Sequence, residues 1–168
     1  MKFSKKMGAA LNRQINQEME GAYNYLAMAA YFERLNLSGL AGWMHTQRKE
    51  ELEHALRLYR YVLDRGGTID LGAIEKPRQN YKSVRQVFET ALNFEKANTK
   101  GIHSLYDLAL KENDYATQSH LQWFVDEQVE EEKIVVDVLG LLDVAGDDKS
   151  ALLVLNRQFG ERPSGSDG

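Results

Sequence analysis

The chain has 168 residues, 43% of them hydrophobic and 27% charged, with a net charge of −4, which suits one globular domain and disfavours nucleic acid as the main partner. It contains no cysteine, which excludes disulfides, thiolate metal sites and cysteine nucleophiles. The longest apolar run, Tyr25 to Phe32, is too short to span a bilayer, and Asn12, Arg13 and Gln14 stand where a signal peptide needs its apolar segment, so no membrane partner and a cytosolic location are expected.

Both prolines, Pro77 and Pro163, fall outside the periodic segments, leaving long helices uninterrupted. The spacing predicts a first helix from about Ser4 to Leu35, with a seam of Leu11, Ile15, Glu18, Ala22, Tyr25, Ala29 and Phe32 stepping by four and three. Ser38 is the expected N-cap of a second helix from Gly39 to Arg65, whose seam reads Leu40, Met44, Gln47, Glu51, His54, Leu58 and Tyr61. From Gly67 to Lys82 no helical period survives. A stretch of that length reaches roughly 50 Å when extended, longer than the roughly 40 Å of the preceding helix, so it reads as a crossover along the whole bundle. Ser83 and Gln86 form a capping-box pattern opening a third helix, with a seam of Val84, Phe88, Ala91, Glu95, Asn98, Ile102, Leu105 and Ala109. Asp114 is the expected cap of a fourth helix, with Thr117, Leu121, Phe124, Gln128, Glu131, Val135, Val138 and Leu142 on its seam. Asp147 or Asp148 caps a short fifth helix, Ala151 to Phe159, and 161–168 reads as a disordered tail. The expected fold is all-α: residues 1–160 as a four-helix bundle with a long crossover between helices 2 and 3 and a short fifth helix.

Each long helix carries an acid or amide near the middle of its seam: Glu18; Glu51 with His54; Glu95; Gln128 with Glu131. Glu51 and His54 are three apart and share one helix face. Bundled, these side chains converge at one level. Four carboxylates cannot share a buried site as bare anions; they take up protons or they take up cations. Carboxylates with one imidazole suit two hard or borderline divalent ions such as Fe²⁺ or Mn²⁺. The metal-free alternative is a hydrogen-bonded network in which Gln47, Asn98 and Gln128 satisfy protonated acids.

The run Asn16-Gln17-Glu18 with Tyr25, the run Glu50-Glu51-Leu52-Glu53-His54, Glu95, and the run Leu121 to Lys133 carry a further signal. In these segments the chain resembles the ferritins, specifically the non-haem prokaryotic type. The resemblance implies a ferroxidase that oxidises Fe²⁺ with dioxygen at a dinuclear iron centre, and a 24-subunit shell storing the ferric mineral. It implies that Glu18, Glu51 and His54 hold the first iron. Glu51 would bridge to a second, held by Glu95 and Glu131 with Gln128 beside it. Tyr25 matches a tyrosine that hydrogen-bonds a ligand or supplies an electron, its alternative being a core aromatic with a satisfied hydroxyl. Trp123 resembles an aromatic neighbour of the site, with packing the favoured reading.

Glu50, Glu127 and Glu130 match a third iron site, and their bland reading is a solvated acidic face. Gln128-x-x-Glu131 replaces the second Glu-x-x-His of bacterioferritins and rubrerythrins, so the second iron lacks an imidazole. Leu52 stands where bacterioferritins bind haem through methionine, and no haem is expected. His45, His103 and His120 lie off the seams and read as surface or inter-subunit residues. The competing function is a non-storage di-iron enzyme, such as a peroxide reductase, on the same bundle. A metal-free structural assembly is the third reading.

Overall fold

The computed structural model describes residues 3–161. Five helices follow one another: α1 (Lys5–Arg34), α2 (Ser38–Asp64), α3 (Val84–Lys111), α4 (Tyr115–Ala145) and α5 (Lys149–Gly160). The first four form the bundle; α1 packs chiefly on α2 and α3 on α4, with α1 also against α3. Both pairs are joined by short turns through an asparagine in the left-handed region, Asn36 (φ 57°) and Asn113 (φ 53°), a conformation asparagine tolerates better than most residues. Among the described residues no helix is long and apolar enough to cross a membrane. The expectation for the tail falls, beyond Glu161, outside the described residues.

Seam residues interdigitate as the period requires, but the core is not continuous. Tyr25, Phe32, Trp43, Met44, Phe88 and Val135 anchor one apolar cluster. Met7, Leu11, Ile15, Leu58, Ile102, Leu121 and Phe124 anchor the other. Between the two lies a buried polar layer: Gln14, Glu18, Gln47, Glu51, His54, Glu95, Asn98, Gln128 and Glu131. The two clusters clamp the four helices above and below that layer, each buried large side chain contributing about 2 kcal/mol.

Three local details differ from expectation. Ser38 does not cap α2: the helix begins at Ser38 itself, and no side chain of the preceding residue caps it. The Leu40 N–H instead donates to Asn156 Oδ1 on α5, 3.0 Å away. Gly39 permits this, because a side chain there would run into the Asn156 carbonyl. The α2 seam ends on Val62, with Tyr61 only half-buried, since a 3.6-residue turn drifts off a strict four–three pattern. Ser83 Oγ accepts from the Gln86 N–H (3.1 Å), but Gln86 Oε1 accepts from the Lys82 N–H (2.8 Å), so the box closes one residue early. Asp114 and Asp148 cap α4 and α5.

The crossover is fastened by two asparagines one helical turn apart. Asn12 donates to the Thr68 carbonyl (2.9 Å) and accepts from the Asp70 N–H (2.9 Å). Asn16 donates to the Ala73 carbonyl (3.0 Å) and accepts from the Gly72 N–H (2.9 Å). These bonds satisfy backbone groups that an irregular segment would otherwise leave to water.

Candidate metal centre

The polar layer collects every side chain that the four seams direct inward at this level. Glu18, Glu51 and Glu95 are each 0% exposed, and His54, Gln128 and Glu131 are buried with them. Glu51 reaches the centre past Gly21, where an added Cβ would stand 2.6 Å from Glu51 Oε2 and against the Phe94 ring. That close approach accounts for a glycine inside α1, otherwise a cost of about 1 kcal/mol.

Amides hold most of the carboxylates. Gln14 Nε2 donates to Glu18 Oε1 (2.8 Å) and also contacts Asn98 Oδ1. Asn98 Nδ2 donates to Glu18 Oε2 (3.0 Å) and to Gln128 Oε1 (3.2 Å). The Tyr25 hydroxyl donates to Glu95 Oε1 at 2.5 Å, and Gln128 Nε2 lies 3.4 Å from Glu95 Oε2. Gln47 Nε2 donates to Glu131 Oε2 (3.0 Å) and to Glu50 Oε2 (2.7 Å). Gln14 is the member that the seam reading passed over, although it lies four residues before Glu18 on the same face.

Three atoms at the heart of this network have no hydrogen-bond partner: both carboxylate oxygens of Glu51 and His54 Nδ1. Nδ1 lies 3.8 Å from Glu18 Oε2 and 3.9 Å from Glu51 Oε1. That is too long for hydrogen bonds, but two ligands each about 2.1 Å from one ion stand roughly 3–4 Å apart. Glu18, Glu51 and His54 place ligand atoms within 4.8 Å of one another, and so do His54, Glu127 and Glu131. His54 belongs to both groups. Glu50 adjoins the second through Gln47, whereas Glu130, one residue and about 100° from Glu131, is exposed and joins neither.

The electrostatics follow from crowding. Burial, then the neighbouring carboxylates, hold Glu51 and Glu131 well above the usual carboxylate range. Burial raises Glu95 to about 7, although the Tyr25 and Gln128 hydrogen bonds oppose it. Burial also raises Glu50. For His54 burial acts downward, but the Glu18 carboxylate beside it prevails and the net shift is upward. Tyr25 is pushed well above its ordinary value by burial and by Glu95. Burial thus favours the protonated form of these carboxyls, and a divalent ion would supply the positive charge that favours the ionised form.

Aromatic rings close the site. Tyr25 is edge-on to Trp43 and Phe94, and His54 is flanked by Trp123 (centroids 5.3 Å) and Phe124 (6.1 Å). The Arg57 guanidinium covers Trp123 at 4.0 Å. Of the other histidines, His103 is exposed and His45 half-buried. His120 is not simply a surface residue: it stacks on Tyr61 at 3.9 Å, and burial lowers it to about 4.

Known proteins share this architecture. Residues 8–145 match the family model described as a ferritin-like domain. A bacterial non-heme ferritin of Staphylococcus aureus (strain USA300) is 37% identical over 159 residues, covering 95% of this chain and 96% of the relative. The Staphylococcus epidermidis protein of the same description is 38% identical over the same length. Among solved structures, an open-pore ferritin from the hyperthermophilic archaeon Archaeoglobus fulgidus superposes with a TM-score of 0.95. It is 44% identical, and the match covers 97% of this chain and all of that one. On the family match and these likenesses, the chain belongs to the ferritin family, in the non-haem prokaryotic-type branch.

Proposed function

We propose that this chain is a ferroxidase and iron-storage subunit in which Glu18, Glu51, His54, Glu95 and Glu131 bind two Fe²⁺ ions as substrate. The observation that carries this reading is the group of unbonded buried atoms, Glu51 Oε1 and Oε2 with His54 Nδ1, facing Glu18 across ion-sized gaps. A purely hydrogen-bonded core would not leave its central carboxylate without a donor. Glu51 has a free oxygen for each of two ions. Binding releases the protons that burial holds on Glu51, Glu95 and Glu131, and the hard carboxylate set favours Fe³⁺ over Fe²⁺. Dioxygen then takes one electron from each ion, and the ferric product hydrolyses and leaves for the stored mineral. Tyr25 orients Glu95 through its short hydrogen bond. Glu50 and Glu127, beside His54 and Glu131, offer a next position for an ion on its way out.

The test is anaerobic titration of the metal-free protein with Fe²⁺, followed by dioxygen in a stopped-flow spectrometer. Two ions per chain are expected to bind before a fast ferric phase; a titration without saturation overturns the site. A shell is the expected assembly, since Val144, Leu153 and Val154 are exposed around the α4–α5 corner. Size-exclusion chromatography decides between the shell and a small non-storage redox enzyme, which would elute as a monomer or dimer.

A further inference from the structure

Between α1 and α3, on the flank of the bundle, lies an open cleft of about 380 Å³. Its rim carries Lys6, Arg13 and Lys111, its walls include Leu105 and Leu108, and Gln14 lies in its floor. No carboxylate lines it. Three other clefts on the molecule each set acids beside their basic residues: Asp143, Asp147 and Asp148 with Arg85 and Lys149; Glu112 and Asp114 with Arg65; Asp70 with Arg13. Arg13 lines both the first cleft and the one with Asp70, yet forms no ion pair with Asp70 within 4.0 Å. Nor do Lys6 and Lys111 have an ion-pair partner among the described residues. Three cations from two helices thus face one concavity in a chain whose net charge is −4. No ion pair within 4.0 Å among the described residues neutralises them, with Glu112 and Asp70 standing outside the cleft, and an anion seated among them lowers their mutual repulsion.

We propose that this cleft binds a small, doubly charged tetrahedral oxyanion of the phosphate or sulfate type. Lys6 and Arg13, seven residues apart, lie on one face of α1, and Lys111 approaches from the end of α3, which Ser4 ties to α1 through Glu112. Gln17 and Ser104 add polar groups inside. The floor residue is the link inward. Gln14 holds Glu18 through a 2.8 Å hydrogen bond, and its Oε1 occupies the room left by the missing side chain of Gly101. An anion in the cleft therefore acts on the amide that positions a ligand of the metal centre. This coupling rests on the function proposed above; anion binding itself does not.

The experiment is isothermal titration of the assembled, metal-free protein with sulfate and with orthophosphate, against chloride at matched ionic strength. Saturable binding of both oxyanions and none of chloride is expected at up to ~10 mM ligand. Lys6→Ala, Arg13→Ala and Lys111→Ala each weaken it about five-fold, while Lys76→Ala, the same charge change on the crossover, leaves it intact. No saturable binding, or equal weakening by Lys76→Ala, overturns the site. Sulfate is further expected to shift Zn²⁺ affinity in the parent but not in Arg13→Ala. Sulfate binding without that shift overturns the coupling alone.

Discussion

The two sides of the polar layer both rest on buried glutamates held by amides and are not equivalent. On the side of Glu18 and His54, the imidazole nitrogen and the central carboxylate are bare. On the side of Glu95 and Glu131, Tyr25, Gln128 and Gln47 donate to the carboxylates, and His54 joins Glu131 only together with Glu127. An ion arriving at the first side meets two ligands without donors, Glu51 and His54, beside a Glu18 that Gln14 and Asn98 already hold. One arriving at the second finds a donor on each carboxylate, from Tyr25 and Gln128 on Glu95 and from Gln47 on Glu131. On the function proposed above, the difference predicts ordered binding, the first ion seating between Glu51 and His54.

In the proposed site Glu51 joins the two sides, so removing it is expected to be the largest disturbance. Glu51→Ala is expected to slow the fast ferric phase on the order of a hundredfold, above the range for residues that only support ligands; a parental rate in stopped flow would show that Glu51 is not shared. The proton balance gives the next effect. Glu95 has a folded pKa raised from 4.5 to about 7, so the folded state binds more protons than the unfolded state between those values. Its contribution is complete below pH 4.5 and is lost as pH rises towards 7, by roughly 3 kcal/mol. Metal-free parent should lose stability against Glu95→Gln across that window in denaturant titrations, and Zn²⁺ should reverse the loss. A difference independent of pH would contradict the assigned shift. His120, depressed by burial, acts in the opposite sense below pH 6.5, and it cancels in this comparison.

Tyr25→Phe tests the second side alone. It should slow oxidation about tenfold while leaving the affinity for a first Zn²⁺ unchanged by calorimetry; a fall in that affinity would mean the sides are not separable. Smallest is Gly21→Ala, whose added methyl presses on Glu51 and Phe94. About 1–3 kcal/mol of stability should be lost, visible as a lower Tm.

Much of this was legible in the chain because the two signals reinforce each other. Long proline-free periods define the helices, and a polar residue inside an apolar seam is conspicuous: Glu18, Glu51, Glu95 and Glu131 all stood out that way, as did the crossover length. What stayed hidden depends on contacts between distant segments. Ser38 is a reasonable cap by local rules, and only the arrival of Asn156 from the other end of the chain displaces it. Gln14 looks like any surface amide until its partner Asn98, on another helix, is in place. That Glu51, rather than Glu18, lacks donors follows from where three amides point, which no spacing encodes.

Asn12 and Asn16 treat the crossover as a sheet edge treats a neighbouring strand. Each reads one N–H and one C=O, so residues 68–73 are held in a fixed register along α1. A one-residue insertion or deletion there would throw both asparagines out of step, whereas residues 74–76, beyond the second clamp and exposed, have no such metric to keep. Peptide tags and cargo-binding segments grafted onto this chain belong in that latter stretch.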